Sequence, residues 1–208
     1  AKTEGRIQKL KKTTKKTNLE GFCGIAHTRW ATHGKPDSVN SHPHFNTDKT
    51  IAVVHNGIIE NYETLKKFLT DKGYVFTTDT DTEVIPHLID YYYKDDLKNA
   101  IFKTVETLQG SYAVCLMHQN NPDTIIAFKK YSPLVIGVKK DEVFISSDTL
   151  AISSETKDGD FVRKEGDGLY SSVTTKEVET DGGLTVKFPS TYYQEAFSEE
   201  FFKNVRVI

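Results

Sequence analysis

At Gly110 the hydrophobic period of this chain changes, and that switch limits the possible folds more than any other feature. Upstream of it, apolar residues recur at helical spacing. Leu65, Phe68 and Leu69 share one face of residues 60–72, and Ile85, Leu88, Ile89 and Tyr92 share one face of a segment reaching about Tyr93. Ile101, Val105 and Leu108 do the same over residues 97–108, with Gly73 and Gly110 as natural helix stops. Asp79-Thr80-Asp81-Thr82 offers cap residues for the middle helix. Downstream, short apolar runs at 112–117, 124–128, 134–138 and 143–146 alternate with the turn-like Asn120-Asn121-Pro122-Asp123 and Lys139-Lys140-Asp141-Glu142. Gly166-Asp167-Gly168 and Asp181-Gly182-Gly183 mark two more turns, beside expected strands at 169–174 and 184–188. Earlier strands are expected at 22–28, 51–55 and 74–77, and a short basic surface helix within 5–20. The period switch predicts an α+β domain, with helices packed on stacked sheets.

The remaining composition narrows the class. A net charge of −2 over 208 residues argues against nucleic acid as the main partner, and no apolar run is long enough to span a bilayer. The N-terminus is too basic and polar for a signal peptide, and two cysteines, Cys23 and Cys115, make no secreted framework. These features together predict a cytoplasmic protein. The basic run of Lys9, Lys11, Lys12, Lys15 and Lys16 carries no interleaved aromatic residue and reads as a solvated face.

Residues 24–34, Gly-Ile-Ala-His-Thr-Arg-Trp-Ala-Thr-His-Gly, make a poor core and a good site. They open like a buried strand and then crowd His27, Thr28, Arg29, Trp30, Thr32 and His33 together at its end. Arginine supplies a planar fork of donors suited to a carboxylate, and tryptophan an apolar wall. The competing reading is a strand end whose polar residues face water. The loop that follows, 34–46, is rich in Pro, Ser, Asn and His and reads as long and mobile. Asn56-Gly57, flanked by Val53, Val54, Ile58 and Ile59, has two readings: a tight hairpin turn, or two donors aimed at one spot.

Three stretches carry a resemblance: residues 24–34, His55-Asn56-Gly57-Ile58-Ile59-Glu60-Asn61, and Thr80-Asp81-Thr82-Glu83. In this order and spacing the chain resembles, from about Gly5 to Glu177, the glutaminase domains of the amino-sugar branch of class II glutamine amidotransferases. The resemblance implies the four-layer αββα fold of N-terminal nucleophile hydrolases. It implies hydrolysis of glutamine to glutamate and ammonia, with the ammonia passed to a sugar-phosphate isomerase domain that makes glucosamine 6-phosphate from fructose 6-phosphate. It implies no cofactor and no metal, and it allows a homo-oligomer in the full-length enzyme. By resemblance Arg29 holds the glutamine α-carboxylate and Asp81 its α-ammonium; Asp81 could also be a plain helix cap. Trp30 lines the ammonia exit, Thr32 and His33 touch substrate, and Asn56 and Gly57 form the oxyanion hole.

The family's nucleophile is an N-terminal Cys whose own α-amine, with a reference pKa of roughly 7.7–8.0, is the general base. This sequence begins Ala1-Lys2-Thr3-Glu4, and Cys23-Gly24-Ile25 imitates the family's start inside a later strand. The expectation is therefore an amidotransferase domain over residues 1–188 that lacks its first strand and its nucleophile and is inactive alone. A divergent, helix-like tail follows at 189–208, with a Thr191-x-x-Gln194 capping box and a stripe of Tyr193, Phe197, Phe201 and Val205. Two alternatives stand beside it. One is a module that binds glutamine without cleaving it. The other is a metal hydrolase built on His27, His33, His42, His44 and His55.

Overall fold

The computed structural model describes residues 1–17, 21–30, 34–139, 142–152, 161–163 and 168–173. They fall into two compact units, Ala1–Gly21 with Ile25–Gly110, and Phe22–Gly24 with the chain from Ser111 onward. The expected tail at 189–208, its boundary at 188, the strand at 184–188, and both Gly-rich turns except Gly168 lie outside the described residues.

Among the described residues the α-helices, α1 (Ile7–Thr14), α2 (Tyr62–Asp71), α3 (Val84–Tyr92) and α4 (Leu97–Thr107), all lie in the first unit, with strands β1 (His44–Phe45) and β2 (Ile51–Ile59). The helical periods worked as read. Leu65 and Leu69 of α2, Ile85, Leu88 and Ile89 of α3, and Ile101 of α4 are buried, while Phe68 and Tyr92 sit at the margins. Gly73 takes φ +93° after α2, and Asp96 caps α4 by accepting from Asn99 N. Gly110 takes φ +116°, and any Cβ there would fall on the Ile58 carbonyl oxygen, so only glycine fits. Helix α1 buries nothing and is the solvated basic helix expected of it.

The second unit is antiparallel sheet. Strands β3 (Gly110–His118), β4 (Asn121–Lys130) and β8 (Gly168–Val173) pair in that order, with β4 central. Strands β5 (Val135–Lys139), β6 (Glu142–Ser146) and β7 (Phe161–Arg163) form the other sheet, β5 central. The β3–β4 turn is tighter than the Asn-Asn-Pro-Asp run suggested: His118 pairs with Asn121, so Gln119 and Asn120 make the connection. The sequence reading missed β7. Helices in one unit and antiparallel sheets in the other make the chain α+β. No helix among the described residues is long and apolar enough to cross a membrane.

Two expected strands are corrected, and one of the two readings of Asn56-Gly57 is closed. Residues 21–30 form no strand, although Cys23, Ile25, His27 and Arg29 are half-buried and Gly24, Ala26, Thr28 and Trp30 exposed. The chain alternates as a strand does, but no neighbour completes a ladder along it, and pairing is what makes a strand. Residues 74–77 likewise form no strand among the described residues: the Tyr74 N–H donates to Leu69 O at 3.0 Å, and the Thr77 N–H to the Glu83 carboxylate at 2.9 Å. Asn56-Gly57 is no hairpin. Both residues lie inside β2, and the Ile59 N–H that a hairpin would turn back donates instead to Asp81 Oδ2 at 2.8 Å.

Candidate active site

Strand β2 ends in three exposed residues, Asn56, Gly57 and Ile58, between buried His55 and buried Ile59. Gly57 takes φ +119°, a conformation that favours glycine. His27 Nε2–H donates to Asn56 Oδ1 at 2.7 Å. A carboxamide oxygen only accepts, so this bond fixes both the imidazole tautomer and the side of Asn56 that carries its two N–H donors.

Four imidazoles floor the site. The His27 and His42 rings pack with centroids 3.9 Å apart, and His42 meets His44 edge-on at 4.7 Å. His55 Nδ1 is 2.9 Å from Thr82 Oγ1, and His44 Nε2 is 3.4 Å from Thr80 Oγ1. Burial lowers the pKa of all four rings, most strongly at His42, and the Arg29 guanidinium lowers His27, His42 and His44 further. His44 falls to about 3, with the Lys2 ammonium adding to the effect of burial. Asp81 opposes the shift at His55. The cluster is therefore neutral at physiological pH and lies within the fields of both Arg29 and Asp81. The metal reading fails on geometry. The rings pack against one another, tilted at His27–His42 and edge-on at His42–His44, and no metal-holding group of three exists among the described residues. His33, its remaining candidate, lies outside them.

Arg29 spends part of its fork on its own loop: Nη1 donates to Lys35 O at 3.1 Å and Nη2 to Gly34 O at 3.3 Å. A cavity of about 140 Å³ opens against His27, Thr28, Arg29, Ser41 and His42, with residues Ala1 to Ile7 as its other wall. Asn56 and Asp81 do not line it. Trp30 is 90% exposed and encloses nothing, and Thr32 lies outside the described residues.

Asp81 is 4% exposed and opens a short 3₁₀ turn, Asp81–Glu83, ahead of α3. It is not a cap: the cap position is Thr80, whose side chain bonds no helix N–H. Its Oδ2 instead anchors β2 through Ile59 N. Glu83 fixes the approach to Asp81, accepting from Thr77 N and Oγ1 and from Thr78 N and Oγ1 at 2.7–3.1 Å. Burial alone would raise the Glu83 pKa, but interaction with His87 and the Thr77 and Thr78 bonds hold it at about 2. The sequence reading gave Glu83 no role of its own.

The cysteines are not poised for attack. Cys23 Sγ donates to Pro122 O at 3.0 Å, and burial and Asp123 both raise its pKa. Burial pushes the Cys115 thiol up to about 12. Neither is in a disulfide.

An acid-unfolding prediction follows from these shifts. Histidines whose folded pKa is depressed lend stability above their unfolded value of about 6.5, and that stability drains as pH falls below it. Glu83, depressed to about 2 from 4.5, adds a second loss that starts near pH 4.5 and continues toward 2. Urea midpoints followed from pH 7 to 2.5 should fall in both ranges for the wild type. Glu83→Gln should be less stable at neutral pH and flatter below pH 4.5; parallel curves would show that Glu83 holds no such charge-dependent role.

The family description "Glutamine amidotransferase domain" matches residues 27–154. The chain belongs to that family. Among curated relatives, it is 47% identical over 174 residues to the glutamine–fructose-6-phosphate aminotransferase (isomerizing) of Clostridium tetani, covering 81% of this chain and 29% of that one. It is 46% identical over 185 residues to the enzyme of that name from Thermotoga maritima, covering 85% and 30%. This amidotransferase domain thus spans less than a third of those relatives' length. Among solved structures, it resembles the Bacillus subtilis glutamine phosphoribosylpyrophosphate amidotransferase with ADP and GMP, with TM-score 0.59, 27% identity, and coverage of 78% of this chain and 34% of that one.

Proposed function

We propose that this chain is the glutamine-binding domain of an aminotransferase that makes glucosamine 6-phosphate, working in the cytoplasm. In this reading Arg29 receives the α-carboxylate of glutamine, Asp81 its α-ammonium, and Asn56 and Gly57 the oxygen of its side-chain amide. A cation fork and a buried carboxylate match the two charged ends of an amino acid. Trp30, Thr32 and His33 are proposed to close over the substrate. One observation carries the reading: His27 fixes the Asn56 carboxamide at the end of the same strand that Asp81 anchors through Ile59.

The chemistry is acyl transfer. A thiolate attacks the side-chain carbonyl carbon, and the tetrahedral oxyanion gathers on Asn56 and Gly57, each well-placed donor being worth roughly 3 kcal/mol. The C–N bond breaks as the amide nitrogen takes a proton and leaves as ammonia, and water then splits the glutamyl thioester to glutamate and the free thiol. Neither Cys23 nor Cys115 suits the attack, so the thiolate belongs to a Cys other than these two. The relatives' name points to fructose 6-phosphate as acceptor of the ammonia, on a domain beyond the matched third of those relatives.

Calorimetry tests the binding step without needing turnover. The chain should bind L-glutamine saturably, and Arg29→Lys should weaken that binding at least about tenfold with its melting temperature unmoved, because a point charge cannot replace the fork. Saturable binding of fructose 6-phosphate with none of glutamine would sink the assignment.

A further inference from the structure

Asn40 is 1% exposed in the middle of the loop that the sequence marks as mobile. A buried carboxamide must find partners for all its polar atoms, and this one does. Its Nδ2 donates to Lys35 O at 3.2 Å and, at the limit of bonding distance, to Asp79 Oδ2 at 3.5 Å. Its Oδ1 accepts from Asp79 N at 2.9 Å, and its own N–H donates to Asp37 Oδ1 at 2.8 Å. The loop is tied down at Asn40.

What those partners belong to gives the bonds their meaning. Lys35 O also accepts from Arg29 Nη1, so Asn40 and the guanidinium grip one carbonyl from two sides. Asp79 lies two residues before Asp81, and its backbone N–H is the group Asn40 holds. Gly34, the other carbonyl under Arg29, is pressed into the same join: at φ +76°, a Cβ there would lie 3.0 Å from both Asn40 Nδ2 and Asp79 Cβ. A single buried side chain therefore ties the loop that Arg29 grips to the segment that carries Asp81.

We propose that Asn40 is a positioning residue that sets the separation of the Arg29 guanidinium from the Asp81 carboxylate, and with it the site's selectivity for ligands bearing both an α-carboxylate and an α-ammonium. The inference rests on the assignment of those two residues to glutamine. A ligand with only one charged end needs only one of the two loops and is indifferent to their spacing. A ligand with both ends charged is not.

Three ligands test this on the chain as it stands, by calorimetry with ligand-observed NMR for weak cases: L-glutamine, glutaramic acid, which lacks the amine, and 4-aminobutanamide, which lacks the carboxylate. The wild type should bind glutamine at least tenfold more tightly than either one-ended compound. Asn40→Ala, and the isosteric Asn40→Asp that keeps the acceptor for Asp79 N–H but removes the donor to Lys35 O, should each lose about tenfold toward glutamine. Each should stay within about twofold of wild type toward the one-ended pair. Equal loss for all three ligands, unchanged glutamine binding, or failure of both variants to fold would make Asn40 a structural residue only and overturn the proposal. A wild type with no preference for glutamine over the one-ended compounds would instead sink the Arg29 and Asp81 assignment beneath it.

Discussion

Glutamine incubated with the purified chain is expected to release no ammonia above the buffer blank, and Cys23→Ala is expected to change nothing. Attack on an amide needs a thiolate, and a low pKa is what makes a cysteine reactive. Burial takes both thiols the other way: Cys115 to about 12, and Cys23 upward as its hydrogen donates to the Pro122 carbonyl. Neither carries a free α-amine to act as base. A chimera with the N-terminal segment of a relative, its Cys as the verified first residue, should gain turnover. One residue added ahead of that Cys should abolish turnover and leave the fold intact, since the amine becomes an amide. Steady glutamine hydrolysis by the unmodified chain, lost in Cys23→Ala, would refute the assignment of Cys23 as structural.

Asp81 should separate binding from stability more cleanly than any other position. Asp81→Asn keeps an oxygen to accept from Ile59 N–H, so the melting temperature should stay close to wild type. Glutamine affinity should drop by about a hundredfold, the order expected when a charge-assisted contact of 2–3 kcal/mol is lost. Asp81→Ala should lose that affinity and also about 1–3 kcal/mol of stability, because the Ile59 N–H is then buried with no partner. The stability at stake belongs to the end of β2, not to the helix cap that the Asp79-Thr80-Asp81-Thr82 run suggested. Equal melting losses in both variants with unchanged affinity would leave Asp81 as a strand anchor alone.

The split between what was legible and what was not follows the range of the interactions. The helical faces of α2, α3 and α4, the stops at Gly73 and Gly110, and most strands beyond Gly110 were readable, because each depends on neighbours within a few residues. The same local signals also gave a strand at 22–28, another at 74–77 and a hairpin at Asn56-Gly57. A strand or hairpin is completed by backbone groups elsewhere: among the described residues no ladder forms along 22–28, and in the other two cases the key N–H groups have other partners. The Thr77 N–H belongs to Glu83, and the Ile59 N–H to Asp81. At the site, the sequence alone supplied the residues of the proposed chemistry, by grouping Arg29, Asn56, Gly57 and Asp81 in recognisable stretches. Only the tertiary structure decided what aims and spaces them. His27 reaches Asn56 across 29 positions and Asn40 reaches Asp79 across 39, and no local pattern marks a hydrogen bond whose partner lies that far along the chain.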